Sequence, residues 1–226
     1  MNMSYKQNIP VLWISLEMSE LDISTRILSK LTRIPAKLIM NGKLSTEELA
    51  TLATTSSQFG TKPLSIVSTG GITVSQIVAL VRKMKATKGI QAVFLDYLQL
   101  IRGTSASGSN SYERLGAVSG DIKNLIVLDR DLGIPVVAIA QLNRQAIKVS
   151  APIAEHIAES YRVAQDADVI ITLKKRSPEE QLEDNKTGVH FGNLLMHIDK
   201  NRSGEDKMKL GLLFNKQDLS IKEVEA

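Results

Sequence analysis

The chain contains no cysteine among its 226 residues, which excludes disulfide bonds and thiolate metal centres. Its three histidines, His156, His190 and His197, fall at no metal-ligand spacing, so a structural metal site is not expected. No apolar run approaches the roughly 18 residues that a membrane-spanning helix needs, and Met1–Asn8 lacks the apolar stretch of a signal peptide. Together these absences point to a reducing, cytoplasmic setting without membrane insertion. Charge of one sign is not in large excess either. A formal net charge of +4 is compatible with a polyanionic partner and equally with an ordinary soluble protein, so it selects no function.

What the chain does have is a 43% hydrophobic content, enough for a substantial core, and a length that fits one domain over residues 1–226. Apolar runs at Val11–Leu16, Leu64–Ser68, Ala92–Ile101, Pro135–Leu142 and Val169–Leu173 read as buried strands. They alternate with helical patterns at Glu20–Thr32, Thr46–Gln58, Val74–Lys88 and Tyr112–Leu132, for which Ser19, Ser45 and Thr73 are candidate caps. That alternation predicts an α/β fold with a mostly parallel twisted sheet and flanking helices. The last third differs. Asn193–Lys200 and Lys207–Phe214, separated by the turn-like Ser203–Asp206, predict a terminal antiparallel hairpin. Arg102–Ser111, Asn143–Tyr161 and the polar Arg176–Gly188 read as loops.

In an open parallel sheet ligands bind beyond the carboxyl ends of the strands. Three polar groups stand there: Glu17 after VLWISL, Asp96 with Gln99 near the end of AVFLDYLQL, and Gln141 closing PVVAIAQL. Two carboxylates and an amide along one rim suit phosphoryl transfer. One carboxylate can hold Mg²⁺, a second can orient or deprotonate the attacking water, and an amide can sense a γ-phosphate. Each has a plainer reading. Glu17 could simply cap the next helix, and Asp199–Arg202 could be a solvated hairpin end. Asp96 resists such a reading, because an unpaired carboxylate inside an apolar strand is costly.

The stretches Ser15-Leu16-Glu17-Met18, Asp96-Tyr97-Leu98-Gln99-Leu100, Gln141-Leu142-Asn143-Arg144 and Gln165-Asp166-Ala167-Asp168, followed by Lys200-Asn201-Arg202-Ser203-Gly204, occur in this order in DnaB-type hexameric replicative DNA helicases. The chain resembles the carboxy-terminal RecA-like ATPase domain of that family over nearly its whole length. The resemblance implies an ATP- and Mg²⁺-dependent enzyme that forms a six-membered ring on single-stranded DNA and unwinds duplex in the 5′-to-3′ direction, with primase and a helicase loader as partners. It further implies roles for individual residues. Glu17 resembles the carboxylate that activates water, Asp96 the aspartate that organises Mg²⁺, and Gln141 the γ-phosphate sensor. Lys200 and Arg202 resemble the pair inserted into a neighbour's nucleotide site, and Arg26 an arginine open to either nucleotide contact or subunit packing. Arg144, Glu159 and Arg162 lie in or beside segments that resemble DNA-facing loops. The family pattern Arg-Glu-Ser-Gly is replaced here by Ala158-Glu159-Ser160-Tyr161, which leaves Arg162 as the nearest substitute cation.

An ATPase of this class also needs a glycine-rich loop ending in Gly-Lys-Ser/Thr to cradle the phosphates, and these residues contain none. In the family that loop precedes SLEM by a helix, whose tail Met1–Asn8 resembles. The expectation is therefore a chain starting within the core fold, without its first strand and phosphate loop, with an open gap in the sheet. An upstream fragment carrying the loop would complete the enzyme. The competing reading is a catalytically incomplete module that binds DNA or helicase rings and regulates the replisome.

Overall fold

The computed structural model describes residues 2–103, 111–143, 156–157, 161–187 and 192–224, without the side chains of 111–112 and 183–187. The chain folds as two compact units, Met1–Gln141 and Leu142–Ala226.

The first unit is built on a parallel sheet of β1 (Val11–Ser15), β2 (Leu64–Ser68), β3 (Ala92–Asp96) and β4 (Val136–Ala138), in the order β2-β1-β3-β4. Val11 pairs with Leu64 and Ala92, and Ser15 with Ser68 and Asp96, so these three strands end level. The helices are α1 (Glu20–Thr32), α2 (Ala36–Met40), α3 (Thr46–Gly60), α4 (Val74–Lys88) and α5 (Ser111–Ile122). Ser19 caps α1 by accepting from the Asp22 N–H, while Ser45 with Glu48 and Thr73 with Gln76 form capping boxes on α3 and α4. The core gathers Leu12, Ile14, Val93 and Leu95 from one face of the sheet with Ile77, Val81, Leu115 and Ile126 from the helical segments. On the opposite face Trp13 stacks on Phe94, ring centroids 5.9 Å apart.

Three expectations need correcting in this unit. The strand foreseen to Ile101 stops at Asp96, where a cis peptide joins Tyr97 and a 3₁₀ turn follows over Leu98–Leu100. The strand foreseen over Pro135–Leu142 is only Val136–Ala138. The ladder ends there because the backbone of β3 has already turned away. The helix foreseen to Leu132 breaks after Ile122 into a π-helical turn, Lys123–Val127. Beyond it the Asp129 carboxylate accepts from the N–H groups of Asp131 and Leu132, offering the backbone local partners in place of helix.

The second unit holds α6 (Tyr161–Asp166), β5 (Val169–Lys175), α7 (Pro178–Thr187), β6 (Leu194–Asn201), β7 (Met208–Phe214) and β8 (Ile221–Glu223), with the strands forming an antiparallel sheet in chain order. The β6–β7 hairpin agrees with the sequence. β5 does not lie with the parallel strands but runs antiparallel to β6. Its alternation explains why: Ile170 and Thr172 are buried while Val169, Ile171 and Leu173 are exposed, the signature of a strand with one covered face. The polar segment taken for a loop contains α7. Ser177 and Glu180 make reciprocal side chain to backbone bonds of 2.8 and 3.2 Å, a capping box that starts a helix even without an apolar stripe. Among the described residues no helix is long and apolar enough to cross a membrane.

Candidate active site

The apolar runs that build β1 and β3 also decide where their polar neighbours fall. Because the two strands pair in register to Ser15 and Asp96, the turn after β1 and the turn after β3 emerge side by side at the carboxyl rim. The Leu16 N–H donates to the Asp96 carbonyl at 2.7 Å, one step beyond the ladder. The buried Ser15 hydroxyl accepts from the Met18 N–H at 3.0 Å, and Ser68 Oγ donates to the Met18 carbonyl at 2.9 Å. SLEM is thus a pinned turn with Glu17 at its exposed apex. The plainer reading of Glu17 as a helix cap does not hold, since Ser19 makes that bond.

Asp96 is half-buried at the end of β3. Its carboxyl is held above the ordinary carboxylate range, first by partial burial and then by the negative charge of Glu17, while Arg26 of α1 pulls it down. Those influences bring Glu17 and Arg26 each within electrostatic reach of Asp96. Arg26 reaches the rim because Ile23 and Ile27 bury the other side of α1.

Gln141 joins the same rim by a route that β4 does not provide. The Leu98 N–H donates to the Ile139 carbonyl at 3.0 Å, and the Gln99 carboxamide then bonds both ways to the Gln141 main chain. Gln99 stood near the strand end in the sequence, but its partner could not be inferred from spacing.

Lys200 and Arg202 belong to the second unit, at the end of β6. Lys200 Nζ donates to the carbonyls of Ala164 and Gln165 at 2.8 and 3.2 Å, the last turn of α6, where carbonyls lack helical partners. Arg202 donates to the Asp168 carboxylate at 2.8 Å and to the Gln165 carbonyl at 3.0 Å. Both cations are therefore seated on the Gln165–Asp168 stretch. The sequence marked that stretch only as a motif, without the holding role its carbonyls and carboxylate perform. Arg162 is exposed on α6. Arg144 and Glu159 lie outside the described residues, as does most of the two expected DNA-facing loops.

Mg²⁺ takes one or two carboxylates and fills its remaining positions with water and phosphate oxygens. Asp96 beside Glu17 fits that demand, and a cation there would relieve the repulsion that raises the Asp96 carboxyl.

A parallel sheet with Glu17, Asp96 and Gln141 beyond its carboxyl ends and an antiparallel sheet following it in the chain is the architecture of a RecA-like α/β domain. The comparisons with known proteins narrow the class. The family model described as "DnaB-like helicase C terminal domain" matches residues 1–223. The replicative DNA helicase DnaB of Leifsonia xyli subsp. xyli is 32% identical over 206 residues, covering 89% of this chain and 43% of that protein. The replicative DNA helicase DnaC of Bacillus subtilis is 30% identical over 187 residues, covering 82% of this chain and 40% of that protein. A solved DnaB-like replicative helicase, described with its interactions with primase, superposes with a TM-score of 0.82 over 98% of this chain and 52% of that one; at 24% identity this likeness concerns the fold. The chain belongs to the DnaB-like helicase C-terminal domain family, and it spans about two-fifths of the length of the curated relatives it matches.

Proposed function

We propose that the chain is the carboxy-terminal ATPase part of a cytoplasmic replicative DNA helicase, which hydrolyses ATP to drive a six-membered ring along single-stranded DNA and unwind duplex in the 5′-to-3′ direction. Both units then serve one ATPase domain over residues 1–226. The observation that carries this reading is the carboxyl rim where β1 and β3 end in register, setting the Glu17 turn beside Asp96.

In this reading Glu17, exposed at the apex of its turn, accepts the proton of the attacking water and orients it. Asp96 would hold Mg²⁺ through water, and the ion would supply charge neutralisation on the transferred phosphate. Gln141, its main chain fixed, presents its carboxamide to the γ-phosphate. Arg26 lies beside the phosphates or packs against the adjoining subunit. Lys200 and Arg202 stabilise charge in the neighbouring subunit's site, which makes a ring obligatory. Arg144, Glu159 and Arg162 serve the DNA backbone, held through charge without base reading. Primase and a helicase loader are the expected protein partners. The phosphate cradle comes from a segment outside these residues, since they contain no Gly-Lys-Ser/Thr sequence.

The test is DNA-stimulated ATP hydrolysis by the purified chain, alone and with a separately expressed upstream segment that carries the phosphate loop, with Glu17→Ala as control. Activity that requires the segment and falls by about 10²–10⁴ in the control is expected. No hydrolysis in either case, with single-strand binding retained, would replace this reading by that of a non-catalytic module of the replisome.

A further inference from the structure

Beyond Ile139, which bonds through its main chain to Leu95 and Leu98, the backbone pairing gives out, yet the rung pattern continues. Gln99 Nε2 donates to the Gln141 carbonyl at 3.1 Å, and Gln99 Oε1 accepts from the Gln141 N–H at 3.2 Å. A side-chain carboxamide carries a donor and an acceptor in fixed geometry, as a peptide group does, so here it takes the place of a strand residue. The turn that bears Gln99 is itself anchored. Leu98 is 3% exposed, and the Ile101 N–H closes the turn onto the Leu98 carbonyl at 3.1 Å.

The main chain of Gln99 faces a second set of residues. Its carbonyl accepts from Arg114 Nη2 of α5 at 3.5 Å. The stem of Arg114 lies so close to Gly103 that a Cβ on that glycine would stand 2.8 Å from Arg114 Cγ. Gly103 and Arg114 flank the stretch expected to face DNA on one side of this unit, and Gln141 leads into the other. Gln99 is thus tied by its side chain to the Gln141 main chain and by its carbonyl to Arg114, whose stem abuts Gly103.

We propose that Gln99 is a positioning residue that couples the roots of the DNA-facing stretches to Gln141 at the nucleotide rim. This rests on the helicase reading above and assigns the transmission between its two ends. Gln99 touches neither nucleotide nor DNA. It fixes where the Gln141 main chain sits relative to the Leu98–Leu100 turn, so displacement of Gly103 or Arg114 by bound DNA reaches Gln141 through a carboxamide held by two hydrogen bonds rather than through an unpaired loop.

The experiment is hydrogen exchange on the chain reconstituted with the loop-bearing segment, with and without a single-stranded oligothymidylate, followed in peptides spanning Arg102–Gly103 and Ile139–Leu142. In the wild type, DNA slows exchange in both regions, by about tenfold at Gln141 for a coupling of ordinary strength. In Gln99→Ala the slowing persists at Arg102–Gly103 and disappears at Gln141. Gln99→Glu keeps the acceptor for the Gln141 N–H and restores part of the effect, which loss of fold alone would not produce. Unchanged exchange across Val11–Ser15 in both variants reports an intact sheet. Transmission to Gln141 in Gln99→Ala equal to the wild type, or DNA binding by the wild type without any change at Gln141, overturns the assignment and leaves the helicase reading standing. A wild-type enzyme reconstituted with the loop-bearing segment that hydrolyses no ATP and binds no single-stranded DNA overturns both.

Discussion

Replacing Asp96 by asparagine separates stability from activity at the rim. The Asp96 carboxyl is held above its ordinary value of 3.8, by partial burial first and by Glu17 second, with Arg26 offsetting part of both. A carboxyl raised in this way is protonated more readily in the folded chain than in the unfolded one. Its contribution to stability is therefore fully present below 3.8 and is lost as pH rises through the higher folded value. At neutral pH the ionised group is a net cost, and the isosteric neutral amide removes it together with the repulsion on Glu17. The side chain is still reached by solvent, so screening limits the gain to about 1 kcal/mol or less. For a unit of this size that is about 2–4 °C in Tm. Thermal unfolding followed by circular dichroism from pH 3 to 8 should show Asp96→Asn more stable than wild type at pH 7, with the difference closing in acid, while ATP hydrolysis in the reconstituted enzyme is lost. A variant less stable than wild type at neutral pH, or a difference independent of pH, would refute the electrostatic reasoning.

Ile77→Ala removes a side chain with 0% exposure in α4 and should cost about 2–5 kcal/mol, read as a lower urea midpoint with unchanged slope. Gly192→Ala should destabilise the antiparallel sheet by about 1–3 kcal/mol, because Gly192 has φ 64° and an added methyl would run into the Leu212 carbonyl; faster exchange of β6 and β7 amides would report it. Arg202→Ala should change stability by about 1 kcal/mol or less, since Arg202 and Asp168 are 52% and 50% exposed, yet lower ATP turnover in assembled rings by about 10³ or more, so the two assays should diverge. Glu180 is held below the usual carboxylate range, foremost by the hydrogen bond from Lys174 at 2.6 Å, so its contribution is present above the ordinary value and lost as pH falls through the lowered one. Exchange of α7 amides should accordingly rise in acid, and Lys174→Met should weaken that pH dependence.

The α/β rhythm, the parallel sheet and the terminal hairpin were legible because burial imposes periodicity on the residues themselves. A strand covered on both faces must be apolar along its covered length, as VLWI and AVFL are, and helices announce their starts through Ser19, Ser45 and Thr73. The same logic failed where periodicity was weak. α7 has no apolar stripe and was taken for a loop, although Ser177-Pro178-Glu179-Glu180 carried its capping signal. β5 looked like a parallel strand because the sequence VIITL shows only apolar content, whereas which neighbour it bonds to is a non-local matter.

By itself the sequence marked Glu17, Asp96 and Gln141 as candidates at or beyond the carboxyl ends of β1, β3 and β4, because side-chain chemistry and apolar runs are local properties. Only the tertiary structure decided how they are brought together. The level ends of β1 and β3 set Glu17 against Asp96, the Gln99 carboxamide carries Gln141 to the rim beyond the last rung of β4, and the carbonyls of α6 with Asp168 seat Lys200 and Arg202. These are pairings between residues up to 81 positions apart in register, such as Ser15 with Asp96, and distant hydrogen bonds of this kind leave no periodic trace in the chain, because their geometry exists only once loops have closed and strands have aligned.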